Sequence, residues 1–159
     1  MSSYAKDTVV SVEASRGEIE RILRRYKADA FGYSIDGGRA MIAFRIAGRH
    51  VRFLISMPDP NDDMFWIYLR GSVRYRRAPT EAEKRWEQAC RQKWRALALV
   101  IKAKLEAVAS EITTIEDEFL AHTVLADGRT VGEAIKPQVD EHYRVGGPSR
   151  LMLEAPRPA

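Results

Sequence analysis

Over residues 31–57 apolar side chains recur at every second position, and over residues 80–110 they recur every third or fourth. One chain therefore carries both the period of a strand and the period of a long helix. The first stretch breaks at Asp36-Gly37-Gly38 and at Ala47-Gly48, where glycine accepts the positive φ that two-residue hairpin turns demand. Residues 31–35, 39–46 and 49–57 thus read as a three-stranded meander. Ala40, Ile42, Phe44 and Ile46 share one face of its second strand, and Val51, Phe53, Ile55 and Met57 share one face of the third, which makes that side the core. The opposite face presents Arg39, Met41, Ala43 and Arg45, then His50, Arg52, Leu54 and Ser56.

The long helix opens at Pro79-Thr80-Glu81-Ala82-Glu83, where Thr80 and Glu83 have capping-box spacing. Trp86, Cys90, Trp94, Leu97, Ile101, Leu105 and Val108 form its apolar seam. Leu99, Val100 and Ala103 widen the seam, which predicts that the second half is buried on more than one side. Lys84, Arg85, Arg91, Lys93 and Arg95 leave the first half to solvent.

Between meander and helix, two prolines and three acids make residues 58–63 a loop. Residues 64–75 are rich in aromatic and β-branched side chains and predict a fourth strand, bent at Gly71 and charged by Arg70, Arg74, Arg76 and Arg77. Upstream, residues 8–12 alternate weakly, as an edge strand would. Ser15-Arg16-Gly17-Glu18 then has the spacing to cap a helix with Ile19, Ile22, Leu23 and Tyr26 inward. Downstream, Thr113 or Thr114 caps a short acidic helix reaching His122, Asp127-Gly128 turns the chain, and Thr130 with Glu133 caps a last helix to about Tyr143, bent near Pro137. The expected fold is α+β: an antiparallel four-stranded sheet packed on a long central helix, with smaller C-terminal helices. One domain spans residues 1–145, and a flexible tail spans 146–159.

A chain of 159 residues buries a sufficient core without disulfides. The single cysteine, Cys90, allows no internal bridge. Residues 96–101, the longest strongly apolar run, are too few to cross a bilayer, and the N-terminus lacks a signal-peptide core. A cytoplasmic protein away from membranes is expected. Charge divides unevenly. Residues 1–110 hold 21 Lys+Arg against 13 Asp+Glu, a net +8, whereas residues 111–159 hold 5 against 9, a net −4. A basic body favours polyanionic partners.

The run Arg95-Ala96-Leu97-Ala98-Leu99-Val100-Ile101-Lys102-Ala103-Lys104-Leu105-Glu106-Ala107-Val108 is followed by Glu118-Phe119-Leu120-Ala121-His122 and by Leu125-Ala126-Asp127-Gly128-Arg129-Thr130-Val131-Gly132-Glu133. With Gly38-Arg39-Ala40-Met41-Ile42-Ala43-Phe44 and Gly48-Arg49-His50-Val51-Arg52-Phe53, these blocks resemble small proteins encoded by bacteriophages and prophages, over most of residues 8–143. The resemblance implies a mobile-element setting in a bacterial cytoplasm. It brings no functional residues with it.

No catalytic motif emerges, and a binding protein rather than an enzyme is expected, needing no cofactor. Asp59, Asp62 and Asp63 crowd one loop and Glu116, Asp117 and Glu118 one helix start. Acids at a helix start favour its dipole, so no metal site is assigned to them. His50, His122 and His142 are too scattered for a motif, and the glycines lack phosphate-loop spacing. What remains is a cationic surface interleaved with rings, the combination that holds single strands by charge and base stacking. Arg39, Arg45 and Arg52 on the open sheet face, with Trp66, Arg70, Arg74, Tyr75, Arg76 and Arg77, form the candidate nucleic-acid site, with single-stranded DNA the favoured ligand. Two competing readings stand beside it. In one, Phe65 and Tyr68 fill the core while the arginines solvate an edge strand. In the other, the chain binds a host protein or pairs with itself as a homodimer through the long-helix seam.

Overall fold

The two-residue period becomes three antiparallel strands in a computed structural model that describes residues 5 and 7–146. They are β1 (Ala30–Asp36), β2 (Arg39–Ile46) and β3 (Arg49–Ser56), ordered β1-β2-β3. Phe44 stands opposite Phe31 and Val51, so the core faces of all three strands coincide. Ala40, Ile42, Phe44, Ile46, Val51 and Phe53 are buried, as their alternation requires.

Two helices cover that face. They are α1 (Val12–Arg25) and α3 (Pro79–Ala109), which lie side by side. Ile19 and Leu23 meet Trp94, Leu97, Ile101 and Leu105 in one cluster with the strands. Each fully buried large side chain contributes about 1.5–3 kcal/mol. Arg95 pairs with Glu18 across the two helices. The Arg16 guanidinium lies 4.6 Å from the Tyr33 ring centroid and 4.5 Å from that of Trp94.

Four sequence expectations change here. Residues 8–12 form no strand, because Ser11 caps α1 by accepting the Ala14 amide at 3.1 Å. Ser15, the expected cap, sits inside the helix, wholly buried, its hydroxyl without a partner. The seam of α3 is buried from Cys90 to Leu105 and half-buried at its ends, Trp86 and Val108, but Val100 and Ala103 are exposed, since three strands and one neighbouring helix cover one side only. Thr80 does not cap α3; Ala78 holds that position, with Pro79 first in the helix.

The expected fourth strand is absent from the sheet. Asp62 accepts the Met64 amide at 2.9 Å and caps a single helical turn, α2 (Asp63–Trp66). This turn buries Phe65 and packs against α3. A separate two-stranded hairpin follows, β4 (Ile67–Arg70) and β5 (Val73–Arg76). Gly71, at φ +63, does not bend one strand; it reverses the chain between two, as the first central residue of a tight hairpin turn.

The C-terminal region folds back along β3. Thr114 caps α4 (Ile115–Glu118), and Phe119 enters the core edge-on to Phe44 and Phe53, with centroids at 5.7 and 6.3 Å. After a 3₁₀ turn, Thr123 bridges to Val51 and the Val124 amide donates to the His50 carbonyl at 2.8 Å, covering the outer edge of β3. α5 (Val131–Arg144) starts with the expected Thr130–Glu133 capping box and contains Pro137. Gly132 is required by close approach: a Cβ there would come within 2.9 Å of the Ala121 carbonyl oxygen. Of the expected tail, all but Gly146 lies outside the described residues.

Candidate functional site

The nine candidate residues divide between two separate sheets. Arg39, Arg45 and Arg52 belong to β2 and β3, whereas Arg70, Arg74, Tyr75 and Arg76 belong to the β4–β5 arm, with Trp66 and Arg77 at its base. On β2, Arg39 and Arg45 are six residues apart, about 20 Å at the rise of an extended strand. Around Arg45 the open face forms a shallow groove of about 440 Å³, lined by Ala30, Gly32, Met41, Ala43, His50 and Arg52 among others.

The sheet arginines are largely engaged. Arg45 Nε donates to Asp29 at 2.6 Å, and that bond holds the Asp29 carboxyl below its ordinary range. Arg52 Nη2 donates to Glu133 of α5 at 3.0 Å, and its Nε is buried without a partner. Arg49 lies 3.6 Å from Glu116. The acidic C-terminal region thus neutralises the edge of the basic body. Among the described residues, Arg39 has no carboxylate partner.

The arm is built differently. Tyr68 and Tyr75 are cross-strand partners whose rings stack at 5.5 Å and 23°, and they remain 39% and 42% exposed. Arg70 and Arg76 lack carboxylate partners among the described residues; Arg76 instead lies 4.8 Å over the Trp66 ring. Arg74 meets Asp63 at 3.2 Å, but both side chains are mostly exposed, so the pair is worth about 1 kcal/mol or less. Arg77 is structural. Its Nη1 donates to the Phe65 and Ile67 carbonyls at 3.1 and 2.5 Å, and its backbone amide donates to the Trp66 carbonyl, which closes the base of the arm. Trp66 is half-buried, its indole N–H donating to the Pro60 carbonyl at 2.8 Å.

Sequence reasoning assigned Tyr75 but left out Tyr68, its stacking partner. Gly71-Ser72 between alternating residues is itself a hairpin signal, and it pairs positions 68 and 75. The acids have structural duties. Asp59 accepts from the Asn61 backbone and side chain, Asp62 caps α2, Glu118 takes the Lys104 ammonium at 2.8 Å, and Asp117 bonds Thr114. Among the described residues, no three His, Cys, Asp or Glu side chains are grouped to hold a metal ion. Cys90 is buried, and that burial pushes its thiol pKa up. His50 is exposed at the end of β3. His122 stacks on Phe53 at 3.9 Å, and burial, with the Lys104 charge, pulls its pKa down. No described helix is long and apolar enough to cross a membrane. No protein-family model, curated protein or solved structure matches this chain.

Proposed function

We propose that this protein binds nucleic acid, single strands in preference to duplex, and that the β4–β5 arm is the contact element. The observation that carries the reading is an arm with no buried residue that nevertheless holds a stacked tyrosine pair and three arginines free of strong ion pairs. Such a segment adds little to the core, and its side chains match what a single strand offers: phosphates for Arg70, Arg74 and Arg76, and base faces for Tyr68 and Tyr75. Arg39, in the sheet, adds a cation at the β2 end nearest the loop that leads to the arm, since the Met57 amide bonds the Gly38 carbonyl there. Arg45 and Arg52 are secondary, because a phosphate would have to displace Asp29 or Glu133 from them.

Duplex reading by α3 is disfavoured. Its cationic first half is tied down by Trp86, which donates to the Pro58 carbonyl at 2.9 Å, and by buried Trp94. The wider setting in the same proposal is an accessory protein of phage or prophage origin, acting in a bacterial cytoplasm without a cofactor. A protein-binding reading draws on a different surface, the apolar groove beside α5.

Fluorescence anisotropy of labelled single-stranded and duplex DNA, titrated over a range of salt, tests the proposal. The expected result is tighter single-strand binding whose logarithm falls linearly with log salt, by about 0.7 per phosphate contacted. No binding at low salt would refute it.

A further inference from the structure

The long-helix seam that sequence alone offered for self-association is spent on the core: Cys90, Trp94, Leu97, Ile101 and Leu105 are all buried. The apolar surface left over lies elsewhere. Leu54 of β3, Leu120 of the 3₁₀ turn, and Ile135 and Val139 of α5 line a groove of about 630 Å³. Each of the four is about half exposed, and Tyr143, at 77%, extends the stripe to the end of the helix.

α5 is a helix without a core of its own. None of its fourteen residues is buried, and it contains a proline. A free helix of that length is marginal in water even without Pro137, because nucleation is costly and most helical stability comes from packing an apolar face. In its first turn Gly132 abuts Ala121 and Glu133 holds Arg52, while Ile135 and Val139 further along remain about half exposed. The remaining turns need cover that is always present, which a second copy of the same chain supplies.

We propose that the protein is a homodimer in which α5 of each copy lies antiparallel in the groove of the other, about a two-fold axis level with Pro137. The sequence of α5 is self-complementary under that operation. Ile135 then faces the partner's Val139. Pro137 lies on the opposite side of the helix from the Ile135–Val139 stripe, at 100° per residue, so its ring stays out of the contact. Lys136 and Asp140 project from one flank. Antiparallel pairing sets that flank against its own copy, bringing each lysine within reach of the partner's Asp140. A specific interface buries about 1,000 Å² or more in total, and Leu54, Leu120, Ile135, Val139 and Tyr143 are the exposed apolar side chains that contribute to it here. This inference stands apart from nucleic-acid binding, which uses the arm.

Sedimentation velocity of the full chain across a concentration series is the test. The expected outcome is a dimer at micromolar concentration, converted by Ile135→Glu to a monomer that keeps the strand signal and loses at most the helical circular-dichroism signal of the later turns of α5. Asp140→Lys, a fully surface change, weakens association at least ten-fold, and the exchange Lys136→Asp with Asp140→Lys restores it. A wild-type chain that stays monomeric at the highest concentration overturns the proposal. So does a dimer indifferent to Ile135→Glu, a charge exchange that fails to restore association, or a monomer that captures an unrelated protein through this groove.

Discussion

Strands β2 and β4 are made of similar material: both combine apolar or aromatic side chains with arginine, and both run into a glycine-containing turn. Yet β2 buries Ala40, Ile42, Phe44 and Ile46, whereas no residue of β4 or β5 is buried. What separates them is cover. Over β2 lie α1 and α3, while the arm rests on its own ladder, the tyrosine pair and the Arg77 bracket. A lone two-stranded hairpin is marginally stable in water, so the arm is a low-stability unit that opens without unfolding the body. Side chains in the meander are accounted for by packing. Those in the arm are not, and that difference is what directs attention to them as contacts.

The contrast breaks most visibly under truncation of large side chains. Phe44→Ala should cost about 3–5 kcal/mol of stability in denaturant unfolding, the usual range for an emptied aromatic site in a core. Tyr75→Ala should leave unfolding nearly unchanged while weakening single-strand binding by about 1–3 kcal/mol, the worth of one base–aromatic stack. If both substitutions destabilise alike, the distinction between meander and arm is lost.

A smaller effect of opposite sign sharpens the same point at Ser15. A helix-capping serine replaced by alanine loses about 1 kcal/mol. A buried, unpartnered hydroxyl inside a helix should instead gain roughly that amount on Ser15→Ala. Thermal melts of the variant decide between the two environments, and a rise in Tm is expected.

The smallest effect is pH-dependent and belongs to the packed side. His122 has its pKa pulled below the ordinary imidazole value of 6.5 by burial against Phe53 and by Lys104. The unfolded chain therefore takes up a proton at a pH where the fold still resists it. Stability from this group is complete above pH 6.5 and declines as pH falls from there to the lower folded value. Melts between pH 7 and 5 should show that decline in the wild type and not in His122→Phe, which keeps a ring beside Phe53.

The meander was legible in the sequence because two independent signals agreed, a strict period of two and glycine turns of hairpin type. The α5 start was legible because Thr130 and Glu133 satisfy each other locally. Failures came where local signals competed and packing chose between them. Ser11 and Ser15 both have cap chemistry, and burial of Ser15 in the helix interior settled the start of α1. Met64, Phe65 and Trp66 have strand-like composition, but Asp62 stood ready to cap a turn that lets Phe65 reach α3. Val100 and Ala103 widened the apolar stripe of α3, and only the narrowness of a three-stranded sheet reveals that nothing among the described elements covers them. In the candidate site, the ring and arginine content of residues 65–77 was legible, while its separation from Arg39, Arg45 and Arg52 was a matter of strand pairing that no local pattern encodes.

The central claim is that the arm makes contacts and does not build the fold. Ile67 and Arg76 are cross-strand neighbours, so replacing residues 68–75 with Asn-Gly closes a two-residue hairpin and removes the arm cleanly. Tm and single-strand affinity measured together on that variant test the claim most directly: the account predicts an unchanged melt and lost binding, and a collapsed melt or undiminished affinity would contradict it.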